Sequence, residues 1–141
     1  MKQTLAIIKP DAVGTGKAGR VLAHVLEAGF VLRALRMTRL NQAQAEAFYE
    51  VHRERPFFRS LCAFMTSGPC IPMVLEHASA VPHLRAVIGA TDPAEAAHGT
   101  IRKLYAESKE RNAIHASDSE ENAHREIAFF FSDAERTGLW E

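Results

Sequence analysis

The sequence has little cysteine and no excess charge. Two cysteines, Cys62 and Cys70, stand in 141 residues. Two thiols cannot build a disulfide framework, and no C-x-x-C pair supplies a redox or zinc motif. Both read as small buried apolar side chains, and the expected setting is the cytoplasm. Seventeen Lys and Arg balance seventeen Asp and Glu, so the formal net charge is zero. That excludes the global positive field of a typical nucleic-acid binder. Any anionic ligand must therefore be held by a local cluster. No apolar run approaches the ~18 residues of a membrane span, and no signal-peptide pattern opens the sequence.

What is present is average for a folded domain: 47% hydrophobic and 24% charged residues. The length predicts one domain over 1–141, large enough to bury roughly 68–70% of its unfolded surface. Residues 4–8 (Thr-Leu-Ala-Ile-Ile) read as a buried strand stopped by Lys9-Pro10. Gly14, Gly16 and Gly19 mark a turn. Val21, Leu22, Val25 and Leu26 then recur at helical spacing, and Gly29 sits where that helix should stop. Residues 30–40 alternate apolar positions with Arg33, Arg36 and Arg39, which predicts a strand with one wet face. Asn41 is a fitting N-cap for a helix carrying Ala45, Phe48, Tyr49 and His52. A further helix starts near Phe57 and is broken at Ser67-Gly68-Pro69. Residues 70–76 read as a third strand and 81–88 as a helix ended by Gly89. The stretch 90–117 reads as a long functional loop with a short fourth strand near 113–116. A last helix begins near Ser119, with Glu120 and Glu121 favourable to its dipole. This order predicts an α+β fold of the ferredoxin-like kind, two split βαβ units forming a four-stranded antiparallel sheet packed with helices.

The seven histidines are too widely spaced for H-x-x-x-H or a zinc pattern. The run Gly14-Thr15-Gly16-Lys17 lacks the spacing and following hydroxyl of a P-loop, and reads as a turn entering a helix. Gly14, Gly16 and Gly19 match G-x-G-x-x-G in letters, but the acidic partner about twenty residues on is missing. More telling are cations at segment ends: Lys9, Arg85 and Arg102, suited to converge on phosphate. His115 sits among small neighbours before Ser117-Asp118, and a neutral imidazole is a competent nucleophile. Taken singly, each of these has an ordinary alternative as a surface charge or a helix cap.

Taken in order, six segments resemble the nucleoside diphosphate kinase family, and in particular its short bacterial-type members. They are Ile8-Lys9-Pro10-Asp11, Arg55-Pro56-Phe57-Phe58, Phe64-Met65-Thr66-Ser67-Gly68-Pro69, Gly89-Ala90-Thr91-Asp92-Pro93, Gly99-Thr100-Ile101-Arg102 and Asn112-x-x-His115-x-Ser117-Asp118. The resemblance implies ping-pong transfer of a terminal phosphate, mainly from ATP, to nucleoside and deoxynucleoside diphosphates through a phosphohistidine on His115. It implies that Lys9, Arg85 and Arg102 hold the phosphates and that Thr91 donates a hydroxyl hydrogen bond. Phe57 would stack on the base with Leu61 beside it, and Asn112 would meet the sugar. Glu126 and Ser117 would orient His115, and Tyr49 would brace the pocket. Mg²⁺ would arrive on the nucleotide phosphates without a protein cage. A homo-oligomer is implied, a tetramer before a hexamer; the sequence itself, with no membrane-length apolar run and zero net charge, argues against a membrane or nucleic-acid partner.

The sequence departs from the family where glycine usually follows the histidine, since Ala116 stands there. A positive φ at that position would make alanine costly. Lys103 also replaces a common small or acidic pattern. A catalytically silent relative and a nucleic-acid-binding regulator are the competing readings. Ala116 supports the first, and zero net charge opposes the second.

Overall fold

In the computed structural model, which describes residues 2–136, strand β1 (Lys2–Ile8) lies inside the sheet. The ends of the expected 1–141 domain lie outside the described residues. Leu5 and Ile7 belong to one core layer, Ala6 and Ile8 to another, and all four are fully buried. A strand covered on both faces needs apolar side chains at every position, so residues 5–8 form a run and not an alternation. Each Leu or Ile buried this way stabilises the fold by roughly 1.5–3 kcal/mol.

The sheet order is β2-β3-β1-β4, with β2 spanning Val31–Leu35, β3 Ile71–His77 and β4 Ile114–Ala116. Every pairing is antiparallel. The expected α+β architecture is observed. Helices α2 (Ala18–Glu27) and α5 (Ala80–Ile88) cover one face with Val21, Val25, Leu84 and Ile88. Helices α3 (Gln42–Phe48), α4 (Phe58–Met65) and α7 (Glu120–Phe130) cover the other with Phe48, Cys62, Met65, Ile127 and Phe130. Asn41 caps α3 through a capping box with Gln44, and Ser119 accepts the Asn122 amide at the start of α7. Gly16, at φ 74°, makes the turn that separates α1 (Pro10–Gly14) from α2, as the Gly14–Lys17 run predicts.

Three local expectations change. The second strand covers 31–35 and not 30–40: pairing passes a register shift between Leu32 and Ala34, continues through Leu35, and stops where the Arg36 amide donates to Pro72 O and the proline has no N–H to return the bond. Beyond that point the strand keeps an isolated Thr38–Cys70 bridge. Its wet side also carries apolar groups, with Val31, Leu32, Leu35 and Met37 all exposed. The loop 90–117 contains a helix, α6 (Ile101–Tyr105), capped by Thr100. Its one buried apolar anchor, Ile101, leaves too short a pattern for helical periodicity to register. His52 lies beyond α3 in a separate 3-10 turn, Glu50–His52. A short α8 (Asp133–Arg136) follows α7.

Candidate active site

His115 is the middle residue of β4 and pairs with Ile7. Because successive side chains on a strand face opposite ways, Ile114 and Ala116 enter the α2/α5 core while His115 faces the α3/α7 side. There its ring meets Phe48 edge-on at 5.5 Å and Tyr49 edge-on at 6.3 Å. His115 Nε2 lies 2.7 Å from Glu126 Oε1, which also accepts a hydrogen bond from Ser117 Oγ at 2.9 Å. Burial pushes the Glu126 carboxyl up. The His115 and Ser117 hydrogen bonds and the neighbouring Arg125 charge outweigh it and hold the group below the usual carboxylate range. Glu126 is therefore an acceptor, and a neutral His115 ring facing it places its one proton on Nε2 and leaves the Nδ1 lone pair free.

Lys9, just past the end of β1, is 6% exposed, and its Nζ donates to Asn112 Oδ1 at 2.8 Å. Burial, with the Arg102 charge second, brings the Lys9 ammonium down to about 8. Arg102 on α6 donates to Gly89 O and Ile114 O. Burial and the nearby Arg85 charge bring it down to about 10. Arg85, on α5, donates to Ala116 O at 3.3 Å. Three cations thus crowd one place, and desolvation and mutual repulsion penalise each of the two most buried. Such an arrangement stores affinity for an anion.

These groups surround a cleft of about 480 Å³ that brings together Lys9, Tyr49, Phe57, Leu61, Arg85, Thr91, Arg102, Asn112, His115 and Glu126. Every residue singled out in the sequence is there except Ser117, which is fully buried behind Glu126. Phe57 stands at the mouth, 46% exposed, at the N-cap of α4. That exposure removes the alternative of a core aromatic. Thr91 takes part through its carbonyl, which accepts from Asn112 Nδ2. The Tyr49 hydroxyl is buried without a hydrogen-bond partner, and burial pushes its pKa well above the ordinary phenol value, so it stays neutral. A larger depression of about 650 Å³ holds Arg53, Arg55 and Arg59, but its lining includes no nucleophilic side chain and its Arg53 is already paired with Glu46 and Glu50.

Sequence reasoning missed several cleft residues: Val51, His52, Lys109, Glu110, Asp118 and Asn122. Asp118 stood inside a matched segment and was the one with a signal. Phe48 was expected only as a helix-face residue, yet it supports the His115 ring. The concern over Ala116 is resolved. It lies in β4 opposite Ala6, is nearly fully buried, and has no positive φ. The one non-glycine residue with positive φ among those described is Ala113, at 74°.

Among the described residues no group of three or more His, Cys, Asp or Glu side chains gathers to cage a metal, and no helix is long and apolar enough to cross a membrane. The family model for nucleoside diphosphate kinase matches residues 2–136. The nucleoside diphosphate kinase of Chlorobium luteolum is 55% identical over 135 residues, covering 96% of each chain. That of Desulfatibacillum aliphaticivorans is 49% identical over 138 residues, covering 98% of this chain and all of its own. Among solved structures, the Aquifex aeolicus nucleoside diphosphate kinase superposes with a TM-score of 0.94 at 46% identity, covering 96% of this chain and 99% of its own. A halophilic nucleoside diphosphate kinase from Halobacterium salinarum, in complex with CDP, gives 0.92 at 37% identity, covering 98% and 92%. The cation-lined cleft around an oriented histidine thus sits in a chain that belongs to the nucleoside diphosphate kinase family, enzymes that pass a phosphate from one nucleotide to another.

Proposed function

We propose that this chain carries the phosphate on His115 Nδ1, in a ping-pong exchange from a nucleoside triphosphate, mainly ATP, to any nucleoside or deoxynucleoside diphosphate. The observation that carries the reading is the Glu126–His115 hydrogen bond, which fixes the proton on Nε2 and leaves Nδ1 as the nucleophile. In the first half-reaction the Nδ1 lone pair attacks the terminal phosphorus. The N–P bond forms, the P–O bond to the leaving diphosphate breaks, and the diphosphate departs with the electron pair. In the second, a terminal phosphate oxygen of the acceptor attacks the same phosphorus and the N–P bond breaks. Both steps need positioning and charge stabilisation more than proton transfer. Lys9, Arg85 and Arg102 supply fixed positive charge where the equatorial oxygens gain negative charge. Thr91 supplies a neutral hydrogen bond, and Tyr49 braces the His115 ring edge-on.

Phe57 and Leu61 present an apolar platform at the cleft mouth with few polar groups to read a base edge. Stacking on such a platform tolerates every base, so broad use and a role in balancing nucleotide pools follow. Asn112 is placed to meet the sugar hydroxyls. Two carboxylates, Glu110 and Asp118, stand on the outer side of the cleft, and Asp118 is held below its usual range chiefly by Asn122. So few hard oxygen donors fit a Mg²⁺ ion that stays largely hydrated and is carried by the phosphates. That ion would neutralise phosphate charge.

A homo-oligomer, a tetramer before a hexamer, is supported by the unpaired edge of β2 with its exposed Val31, Leu35 and Met37. Two free buried thiols suit the reducing cytoplasm. The test mixes the protein with ATP, Mg²⁺ and dTDP and measures dTTP beside His115→Ala. Formation by the native protein alone is expected. Turnover by H115A above trace would overturn the assignment.

A further inference from the structure

Asp11 lies outside the cleft, yet it is almost fully buried, 3% exposed, at the start of α1. Its Oδ2 accepts the Ala113 amide at 3.0 Å. The other backbone group of Ala113 is also held, because its carbonyl accepts the Lys9 amide at 2.9 Å. Ala113 is the residue with φ of 74°, and the Ile114 amide donates across it to Asn112 O at 2.9 Å. A three-residue bond with that φ is a γ-turn of the rare, strained hand. An alanine adopts it only where the surroundings over-determine the backbone.

The turn sits between the groups that do the chemistry. On one side Asn112 holds Lys9 Nζ and the Thr91 carbonyl. On the other, the Ile114 carbonyl receives Arg102 Nη2 and the next residue is His115. Relaxing Ala113 to negative φ would rotate the two flanking peptides. That would move Asn112 and His115 relative to Lys9 and Arg102.

We propose that Asp11 is a positioning residue for phosphoryl transfer, its carboxylate holding the Ala113 amide so that residues 112–114 keep the strained turn that aims His115. The inference rests on His115 being the phosphorylated residue. The turn needs the carboxylate as an acceptor, and glycine at position 113 should need it less, since glycine enters positive φ freely.

The experiment measures single-turnover phosphorylation by ATP with Mg²⁺ in native protein, D11A, D11N, D11A/A113G and H115A. It is paired with amide hydrogen exchange at Ala113. D11A should phosphorylate about 100-fold more slowly, the scale of a small misplacement of a reacting group. Its kcat should fall more than its KM rises. D11N, which keeps an acceptor oxygen, and D11A/A113G should each recover most of the rate. In the native protein the Ala113 amide should exchange far more slowly than exposed loop amides, and this holds whether or not D11A folds. Native-like phosphorylation by D11A beside an inactive H115A overturns this inference and leaves the nucleophile in place. So does a slow D11A that neither second variant rescues, or a rapidly exchanging native Ala113 amide. Transfer by H115A overturns the underlying reading instead.

Discussion

Lys9, which we propose holds phosphate, should destabilise the empty protein. Its ammonium lies at about 8 where an exposed lysine has 10.5, with burial the main cause and Arg102 the second. A depression of that size corresponds to roughly 3 kcal/mol against folding wherever the group must be charged. The folded constant is below the unfolded one. The cost is therefore fully present below about pH 8 and fades as pH rises toward the unfolded value of 10.5. Lys9→Met keeps the apolar stem and removes the charge. It also leaves Asn112 Oδ1 without its donor, at a cost of about 1–2 kcal/mol. The net gain at pH 7 is on the order of 1–2 kcal/mol, or roughly 5 °C in Tm for a chain of this size.

The assay is thermal unfolding of native and K9M protein at equal concentration from pH 7 to 10.5, with and without ADP. K9M should melt higher at pH 7, and its lead should shrink above pH 8 and reverse near 10.5, where the neutral amine still donates to Asn112. Comparing the two proteins cancels groups that titrate in both, such as Cys70, whose thiol burial pushes up to about 11. ADP should raise the native Tm more than that of K9M, and K9M should lose most transfer activity. A K9M protein less stable than native at pH 7, or a gap unchanged between pH 8 and 10.5, would refute the idea that Lys9 is held charged at a cost.

Two further substitutions test the platform and the loop. Phe57→Ala should raise KM about 10-fold or more for purine and pyrimidine diphosphates alike, the scale of one lost stacking contact, with kcat little changed; a base-selective rise in competition assays would contradict the platform. Gly89→Ala should lower both Tm and turnover, because its φ is 90° and the new Cβ would lie 2.5 Å from Thr100 Oγ1. Strain alone costs of the order of 1–3 kcal/mol, and the Gly89 carbonyl that holds Arg102 would shift. Unchanged melting and turnover would show the turn to be more yielding than its geometry indicates.

The parts of this molecule legible in the sequence are those whose residue choice is forced locally. Residues 5–8 had to be apolar throughout because both faces of β1 are covered. Asn41 and Ser119 announced their helices because a cap needs a short side-chain acceptor. The edge strand was harder, because Val31, Leu35 and Met37 face outward and a pattern rule assigns such residues inward. Helix α6 was illegible for a different reason: it is set by a long-range fit of Thr100 against Gly89 and by Ile101 in the core. The residues proposed to carry the chemistry emerged through the family resemblance, since Lys9, Arg85, Arg102 and His115 lie far apart along the chain. What no pattern conveyed was the strained backbone at Ala113. Alanine carries no signal for positive φ, and the Asp11 carboxylate that restrains it is a hundred residues away.

The two halves of the site meet on one short strand. Arg85 grips the carbonyl of Ala116 and Arg102 that of Ile114, the residues on either side of His115. The same strand turns the His115 side chain toward Glu126 in the opposite layer. The cations and the proposed nucleophile are therefore referenced to adjacent peptides of β4, which pairs along its length with β1. In the proposed mechanism any drift of β4 would carry both together, so the distance between the attacking nitrogen and a bound phosphate would be insulated from looser motions of the helices. In-line transfer depends on that distance more than on any proton, and a site on a strand can hold it where one spread over loops cannot. Alanine in place of glycine at 116 meets no positive-φ strain within this arrangement. Position 116 is used for its carbonyl and its extended backbone, and both are the same with either residue.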